Sequence, residues 1–400
     1  MSLTKASFSL INGAPVNVLD YGADPTGTSD SKAAIQAAID AGSVIYIPSG
    51  TYLISGAINI GSATTGNKRI VGAGMRSTTL KATNAAATLQ NKTSHYFIEM
   101  QDFTFDGNAL ANVGISLGIP SGGTGSAAYD QLNNITVYNC TTIALELNSI
   151  QYVQINQCQF QGTSNGHGIK AQKLLTSYIN NTVIIDNRYG MYLGNHGGAT
   201  SGSNLVYLNN IQFFGPAPTS STPPDFYLAI DGAYGVYLNG CIFENERVFN
   251  NPLVIIANSN GALVTGNIYF QSCSWQGLAF AQDLIQTQGG TRIYFNECRA
   301  IRPTAGNYIL NQASGGSVFV NSCLAGNGYT DATTFNWTDS GYVTGTIFET
   351  QQPTKLLSVT DGITAPSAVT GRAFVYVDSA DGSLKVKFGN GVVKTLATNP

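Results

Sequence analysis

The chain has 400 residues, of which only 10% are charged and 45 are glycine, and its formal net charge is −3. Ordinary domains are about a quarter charged, so hydroxyl and amide side chains must wet this surface, as suits a protein that meets sugar chains. The slight negative balance argues against a nucleic-acid partner, and no run of about 18 apolar residues offers a membrane span.

Residues 1–16 read as a leader without the apolar centre of a signal peptide, so export is expected by another route, such as lysis of a host cell. Residues 17–95 read as a capping helix and the first turns of a coil. Within them Asn17–Gly27 is turn-rich, and Ala33, Ala34, Ile35, Ala37, Ala38 and Ile39 predict a helix over Ser29–Ala41 with Ser29 or Asp30 as its cap. A helix placed there covers the open end of a coil, which otherwise exposes unpaired strand edges. Val44–Ile54 and Arg69–Leu80 supply the first strands, with Gly72 and Gly74 at a tight corner.

Residues 96–352 are expected to form a central parallel β-helix, because one short pattern recurs nine times: an apolar residue, Asn or Gln, a variable residue, then Cys or another mostly apolar residue. It occurs at Met100–Phe103, Leu132–Ile135, Ile155–Cys158, Ile179–Thr182, Leu208–Ile211, Leu238–Cys241, Phe270–Cys273, Phe295–Cys298 and Val320–Cys323, at spacings of 23 to 32 residues. That is the period of a solenoid adding one coil per repeat. Two positions before the amide stand Ile98, Val153, Val206, Val236, Ile268, Ile293 and Val318, with Asp130 and Ser177 as exceptions. Alternate strand residues share a face, so this residue and the apolar one before the amide should both point into the coil. The amide column should sit where the strand turns, since Asn tolerates left-handed geometry and can bond its counterpart one rung away. Cys158, Cys241, Cys273, Cys298 and Cys323 share one column, with Cys140 near a repeat, and are expected to be buried free thiols. The Pro/Gly/Ser segments 118–128 and 215–224 read as surface loops, and residues 335–349 as a last irregular turn. No Cys/His spacing suggests a metal site, and no cofactor is expected.

After Pro353 the pattern changes. Residues 353–400 hold two successive hairpins built from Arg372–Val377, Leu384–Phe388 and Val392–Leu396, too short to fold alone but suited to interlocking with copies around a three-fold axis.

The stretch NVLDYGADPTGTSDSKAAIQAAIDA followed by VIYIPSGTYLI closely resembles the opening of the pectate-lyase-like family found in bacteriophage tailspikes and capsule depolymerases. The leader before it is similar to that of many phage tail proteins. The C-terminal VYVDSADGSLKVKFGNGVVKTLA is similar to a short ending of phage fibre and spike proteins. The resemblance implies an all-β, right-handed parallel β-helix, usually a homotrimer, that binds and depolymerises a bacterial capsule or O-antigen. It further implies a virion location on the phage tail, other tail or baseplate proteins as partners, and an extracellular life after release. It covers about the first 80 residues and fixes neither substrate nor chemistry. Gly166–Gly168 resembles the Gly-His-Gly of polygalacturonases, but the paired Asp and the later Arg-x-Lys of those enzymes are absent.

With so few charges, clusters stand out. Asp186 and Arg188 follow one repeat, and Glu244, Glu246 and Arg247 follow another two rungs away, which puts the carboxylates on the order of 10 Å apart. An inverting glycosidase needs about 6.5–9.5 Å between its acid and base, so Asp186, Glu244 and Glu246 are the expected catalytic set for endo-hydrolysis. The next strand aligns Ile143 with His167 and Tyr189, and Glu146 with Lys170 and Tyr192. Rings beside charged groups suit a sugar groove, so Glu146, His167, Lys170, Arg188, Tyr189, Tyr192 and Arg247 are the expected substrate contacts. Two alternatives stay open. One is a lyase for a uronate polymer, with His167 as base and Lys170 or Arg188 neutralising the carboxylate. The other is a spike that binds without cleaving. Asp102 and Asp106 near Glu99, and Glu297 with Arg299 and Arg302, are further charged groups, the first read as structural.

Overall fold

The computed structural model describes residues 13–61, 67–162, 166–185, 188–194, 202–215, 226–245, 254–257, 266–277, 285–287, 292–300, 309–311, 317–321, 324–325, 337–339, 364–368, 370–371 and 373–398. Almost every element is a β-strand. Thirty-four strands pair in parallel into one continuous sheet that winds around a common interior, which is a β-helix.

Each coil lays one strand on each of three faces. The first face stacks Val44–Ile47, Lys68–Gly72, the start of Ile98–Asp106 and of Gln131–Cys140, Gln154–Asn156, the end of His167–Asn180, Asn204–Asn209, Tyr234–Asn239, Ile268–Gln271 and Arg292–Asn296. The repeated pattern lies here, in register: Ile155 pairs with Ile179, Leu208 with Leu238, and Phe270 with Phe295. The second face follows the corner and includes Gln159–Gly162, Val183–Ile185, Gln212–Phe214 and Ile242–Asn245. The third includes Val113–Gly118, Ile143–Gln151, His167–Asn180, Tyr189–Gly194 and Phe226–Asp231.

The corner between the first two faces differs from expectation by one residue. Left-handed backbone falls on the variable residue after the amide: Asp102, Asn134, Gln157, Asn181, Asn210, Gly240, Ser272 and Glu297 all have φ between 50° and 62°. The amide column remains extended and links the coils through side chains. Asn156 Nδ2 donates to Asn133 Oδ1 at 2.9 Å, Asn180 to Asn156 at 2.8 Å and Asn209 to Asn180 at 2.8 Å. Stacking at one strand spacing, about 4.8 Å, brings each amide within reach of the next.

The inward column is apolar, and its two exceptions have partners. Asp130 is fully buried; its Oδ1 accepts from the Ile98 N–H at 2.9 Å and its Oδ2 lies 2.8 Å from His95 Nε2. Ser177 Oγ accepts from Val153 N–H at 3.0 Å and donates to the Leu175 carbonyl at 2.8 Å. Both bond backbone groups that the strand ladder leaves over, which makes a polar residue tolerable inside. Most of the interior is stacked rings and aliphatics: Phe213 lies 4.9 Å from Phe243, and Phe243 5.2 Å from Trp275. The five described cysteines are buried and free; Cys323 lies outside the described residues.

The N-terminal helix spans Lys32–Ala41 and buries Ile35, Ala38 and Ile39. Its N-cap is Ser31 rather than Ser29 or Asp30, because Thr26–Asp30 is a strand. Asp24 holds that strand's entry, accepting from Thr26, Thr28 and Ser29 N–H groups. At the predicted tight corner, a side chain on Gly72 is barred because a Cβ there would sit 2.1 Å from the Asp102 carbonyl oxygen.

By contacts, residues 351–400 make up a separate unit from residues 1–350. Its strands Ala373–Val377, Leu384–Phe388 and Val393–Ala397 form a three-stranded antiparallel sheet. Among the described residues no helix is long and apolar enough to cross a membrane.

Candidate functional site

The third face gathers most of the chemistry. His167 pairs in register with Ile143 on one side and Tyr189 on the other; Lys170 pairs with Glu146 and Tyr192. Ser116 precedes Glu146 in the same column, and Ala229 follows Tyr192. Parallel strands with identical spacing turn these separate segments into columns about 4.8 Å per step. All five titratable members, Glu146, His167, Lys170, Tyr189 and Tyr192, are half-buried.

The contacts within the columns define their chemistry. Ser116 Oγ donates to Glu146 Oε2 at 2.6 Å, fixing that carboxylate. Tyr192 Oη donates to Asp231 Oδ2 at 3.1 Å. A Cβ on Gly194 would fall 2.2 Å from the Tyr192 ring, so the glycine leaves the ring its place. The His167 imidazole stacks on Tyr189 with centroids 4.6 Å apart, and Phe226 continues the stack 5.2 Å beyond. Arg188 lies with its guanidinium carbon 5.2 Å from the Tyr189 ring centre, a cation–π contact.

Two groups are shifted in ways that matter for proton transfer. Burial, with Lys170 adding to it, lowers His167 to about 4, so its imidazole is neutral at ordinary pH. Burial first and Asp231 second push the Tyr192 phenol far above its ordinary range, so it stays protonated. Glu146 and Lys170 face each other in register, yet among the described residues no ion pair joins them and no hydrogen bond holds the ammonium. The cross-rung salt bridge that their sequence spacing allows does not form.

The expected carboxylate set fares differently. Asp186, Glu246 and Arg247 lie outside the described residues. Glu244 is half-buried on the second face, in register with Phe214, which itself pairs with Ile185. Glu244 therefore answers to the residue before Asp186, two rungs away. Its carbonyl accepts from Tyr227 Oη at 2.6 Å. Glu244 and the His167–Lys170–Tyr192 group belong to different faces. The remaining charged clusters serve the corners: Glu99 pairs with Arg69 at 3.0 Å, Asp102 accepts from Asn134 Nδ2 at 2.6 Å, and Glu297 accepts from Gln271 Nε2 at 2.9 Å. Arg302 is outside the described residues.

Ser116, Asp231 and Phe226 were not singled out from sequence. Their signal was available: extending the third-face register from Tyr192 to Ala229 puts Asp231 two residues on. Among the described residues no cluster of three or more His, Cys, Asp or Glu is arranged to hold a metal ion.

The family model for rhamnogalacturonase A/epimerase, pectate lyase-like proteins matches residues 15–222, and the chain belongs to that family. Mannuronan C5-epimerase AlgE3 of Azotobacter vinelandii is 39% identical over 113 residues, which are 23% of this chain and 6% of that protein. Alginate lyase 7 of the same organism is 38% identical over 109 residues, 23% of this chain and 12% of that one. The chain thus spans a small fraction of these curated relatives' length. Among solved structures, ORF18 of Geobacillus virus E2 superposes with a TM-score of 0.56 at 17% identity, covering 96% of this chain and 86% of that one, a likeness of fold.

These findings correct the expectation of a tailspike that hydrolyses its polymer with a carboxylate pair. The curated relatives are an epimerase and a lyase.

Proposed function

We propose that the chain is an enzyme acting on a uronate-containing polysaccharide by abstraction of the proton at C5, the chemistry that lyases and C5-epimerases have in common. The observation that carries this reading is the Lys170 ammonium, unpaired among the described residues, in register with the protonated Tyr192 and three residues from the neutral His167. A carboxylate beside Lys170 is neutralised, which makes the C5 proton acidic enough to remove. His167 Nδ1 or Nε2 takes that proton. The electron pair left on C5 spreads into the carboxyl group against the lysine. Its return expels the C4 oxygen, protonated by Tyr192, and leaves a C4–C5 double bond. Protonation of C5 from the opposite side instead inverts the centre. Tyr189, Phe226 and Arg188 line the approach to His167 and suit the apolar face and hydroxyls of a pyranose. The relatives' printed activities, on mannuronan and alginate, support the same class of substrate.

Incubation with uronate polymers in deuterated water tests the reading. Ultraviolet-absorbing unsaturated ends indicate elimination, and deuterium at C5 without chain shortening indicates epimerisation. Neither signal, with any uronate polymer, overturns it.

The setting is part of the same proposal. A homotrimer on a phage particle, with a bacterial surface polysaccharide as target, is supported by the sequence resemblance of the leader and the C-terminal hairpins. Five large apolar side chains that the C-terminal sheet leaves exposed, Val375, Phe388, Val392, Val393 and Leu396, support the trimer.

A further inference from the structure

The first face of the coil carries an aromatic surface that the proposed chemistry does not use. One of its outward columns reads Tyr178, Tyr207, Tyr237, Tyr269 and Tyr294 on successive rungs. The rings stack at 4.7–4.8 Å with planes within 11° of parallel, so four steps carry the ladder about 19 Å along the axis. Beside it on the same strands stand the amides Asn180, Asn209, Asn239, Gln271 and Asn296. From Gln131 to Asn296 neither column holds a charged residue, whereas the third face aligns Glu146 with Lys170. Among the described residues the hydroxyls of Tyr178, Tyr207, Tyr237 and Tyr269 have no partner within the chain.

The rings change place at one step. In the two rungs before Tyr178 the ladder position is held by Gln154 and Gln131, and the tyrosines stand two residues earlier, at the corner. These are Tyr129 and Tyr152, stacked at 4.9 Å and 50% and 40% exposed. Both have left-handed backbone, with φ of 66° and 56°, a conformation that crowds a bulky side chain. The corner at the other end of the same face gives that conformation to Asn134, Asn181 and Asn210, which adopt it readily. Tyr129 and Tyr152 are therefore kept against local preference, as strained residues at ligand sites are.

The step also leaves two ring faces open. Tyr152 has Tyr129 against one face and only Thr176 in register on the next rung; Tyr178 has Tyr207 against one face and Gln154 on the rung before. The inner rings of the ladder spend both faces on each other and offer hydroxyls instead. A pyranose uses both kinds of group, since its C–H face lies on a ring and its hydroxyls bond phenols and amides. Polar groups that recur once per rung, about 4.8 Å, suit a chain whose own hydroxyls recur once per sugar.

We propose that this face is a non-catalytic site for an uncharged polysaccharide, separate from the proposed uronate site and independent of it. Tyr152 and Tyr178 stack on sugars at the step, and the phenols and amides of the following rungs take the hydroxyls of the chain beyond. The charge-free columns match a neutral ligand, as the Lys170 ammonium matches an anionic one.

Binding to the full chain tests the site without turnover. Cellohexaose, maltohexaose, β-1,4-mannohexaose and laminarihexaose are titrated by calorimetry at low and high salt, with hexagalacturonate as the charged comparison. At least one neutral oligomer should bind, with an affinity that salt leaves unchanged. Tyr178→Ala and Tyr152→Asn should each weaken that oligomer by about tenfold, the scale of losing one stacked ring. Tyr178→Phe, which keeps the ring, should weaken it less, and Lys170→Met should not weaken it. Tyr152→Asn also relieves the left-handed backbone, so its melting temperature should equal or exceed that of the wild type, which separates lost binding from lost fold. Absence of binding by all four neutral oligomers, affinity that survives both ring changes, or a Tyr152→Asn protein less stable than the wild type overturns the proposal. A fall in light-scattering mass when Tyr152→Asn and Tyr178→Ala are combined makes the face a contact between copies and overturns it too. Hexagalacturonate, where it binds, should respond to Lys170→Met and ignore Tyr178→Ala; the reverse dependence overturns the separation of the two sites.

Discussion

The Lys170 ammonium acts on the His167 imidazole, and on the proposed reading of the site that coupling gives it a pH signature. Burial and the neighbouring ammonium hold His167 at about 4, so the base is already deprotonated well below neutrality. The acid limb of kcat/KM is therefore expected near pH 4 rather than near the ordinary histidine value of 6.5. Lys170→Met removes the repulsion that favours neutral imidazole, so the limb should move upward while the rate falls by about 100-fold, the scale of losing one charge stabiliser. A pH–rate profile of both proteins checks the sign. Trp275 makes a separate test of the interior. Its indole N–H is buried and has no partner among the described residues, at a cost of about 1–3 kcal/mol. Trp275→Phe keeps a ring stacked on Phe243 and removes the orphan donor, so thermal unfolding should shift by less than for Phe243→Ala, which leaves a cavity costing about 3–5 kcal/mol.

At the scale of the strand and its corner, what sequence revealed and what it hid have the same cause. The columns Ile143–His167–Tyr189 and Glu146–Lys170–Tyr192 were legible because each was counted from a repeat whose neighbouring strands have matching lengths. Counting across the corner also holds where the structure describes it, since Ile185 and Glu244, each three residues beyond its column residue, share a register position through Phe214; Asp186 lies outside the described residues. The left-handed residue was misplaced by one because Asn is a good candidate at either position, and only the side-chain ladder shows which Asn is extended. Asp130, an apparent break in the apolar column, turns out to hold a buried pair. His95 also bonds the Thr93 carbonyl, through Nδ1 at 2.8 Å. Burial opposes a charged His95, but its bonds to Asp130 and Thr93 outweigh that and raise it above 6.5; burial raises the Asp130 carboxyl as well. A group whose proton is held more tightly in the folded chain stabilises it fully below the unfolded value and loses that contribution as pH rises through the folded one. The melting temperature should therefore fall as pH climbs above about 6.5, and His95→Gln should flatten that slope. Asp130→Ala strands His95 and the Ile98 N–H together and should cost about 3–5 kcal/mol. Ser177→Ala strands only the Val153 N–H and should cost about 1–3 kcal/mol. Denaturant titrations of the two variants rank them.

For the molecule as a whole, the two units differ in how well they satisfy themselves. The coiled unit closes its interior with a continuous column of buried residues, each coil covering the next, and its N-terminal end lies under the helix Lys32–Ala41. The described residues of the unit 351–400 form no such interior. Its sheet buries Tyr376 and Val386, yet leaves Val375, Phe388, Val392, Val393 and Leu396 between 38% and 57% exposed. A chain segment of this size buries too little surface to be stable alone, and an exposed apolar sheet of this kind invites association. Three copies meeting through these side chains would answer both problems at once, and one lysine of the sheet, Lys385, is already engaged by Asp378 at 2.9 Å and Asp381 at 2.6 Å. The full chain should accordingly run at three times its 42.1 kDa mass in light scattering. Removal of residues 351–400 should reduce it to a single chain whose far-ultraviolet spectrum keeps its β signature. Val375→Lys combined with Leu396→Lys should do the same without shortening the protein. A full-length chain that sediments as a monomer, or a trimer that survives both changes, removes the C-terminal sheet as the assembly element.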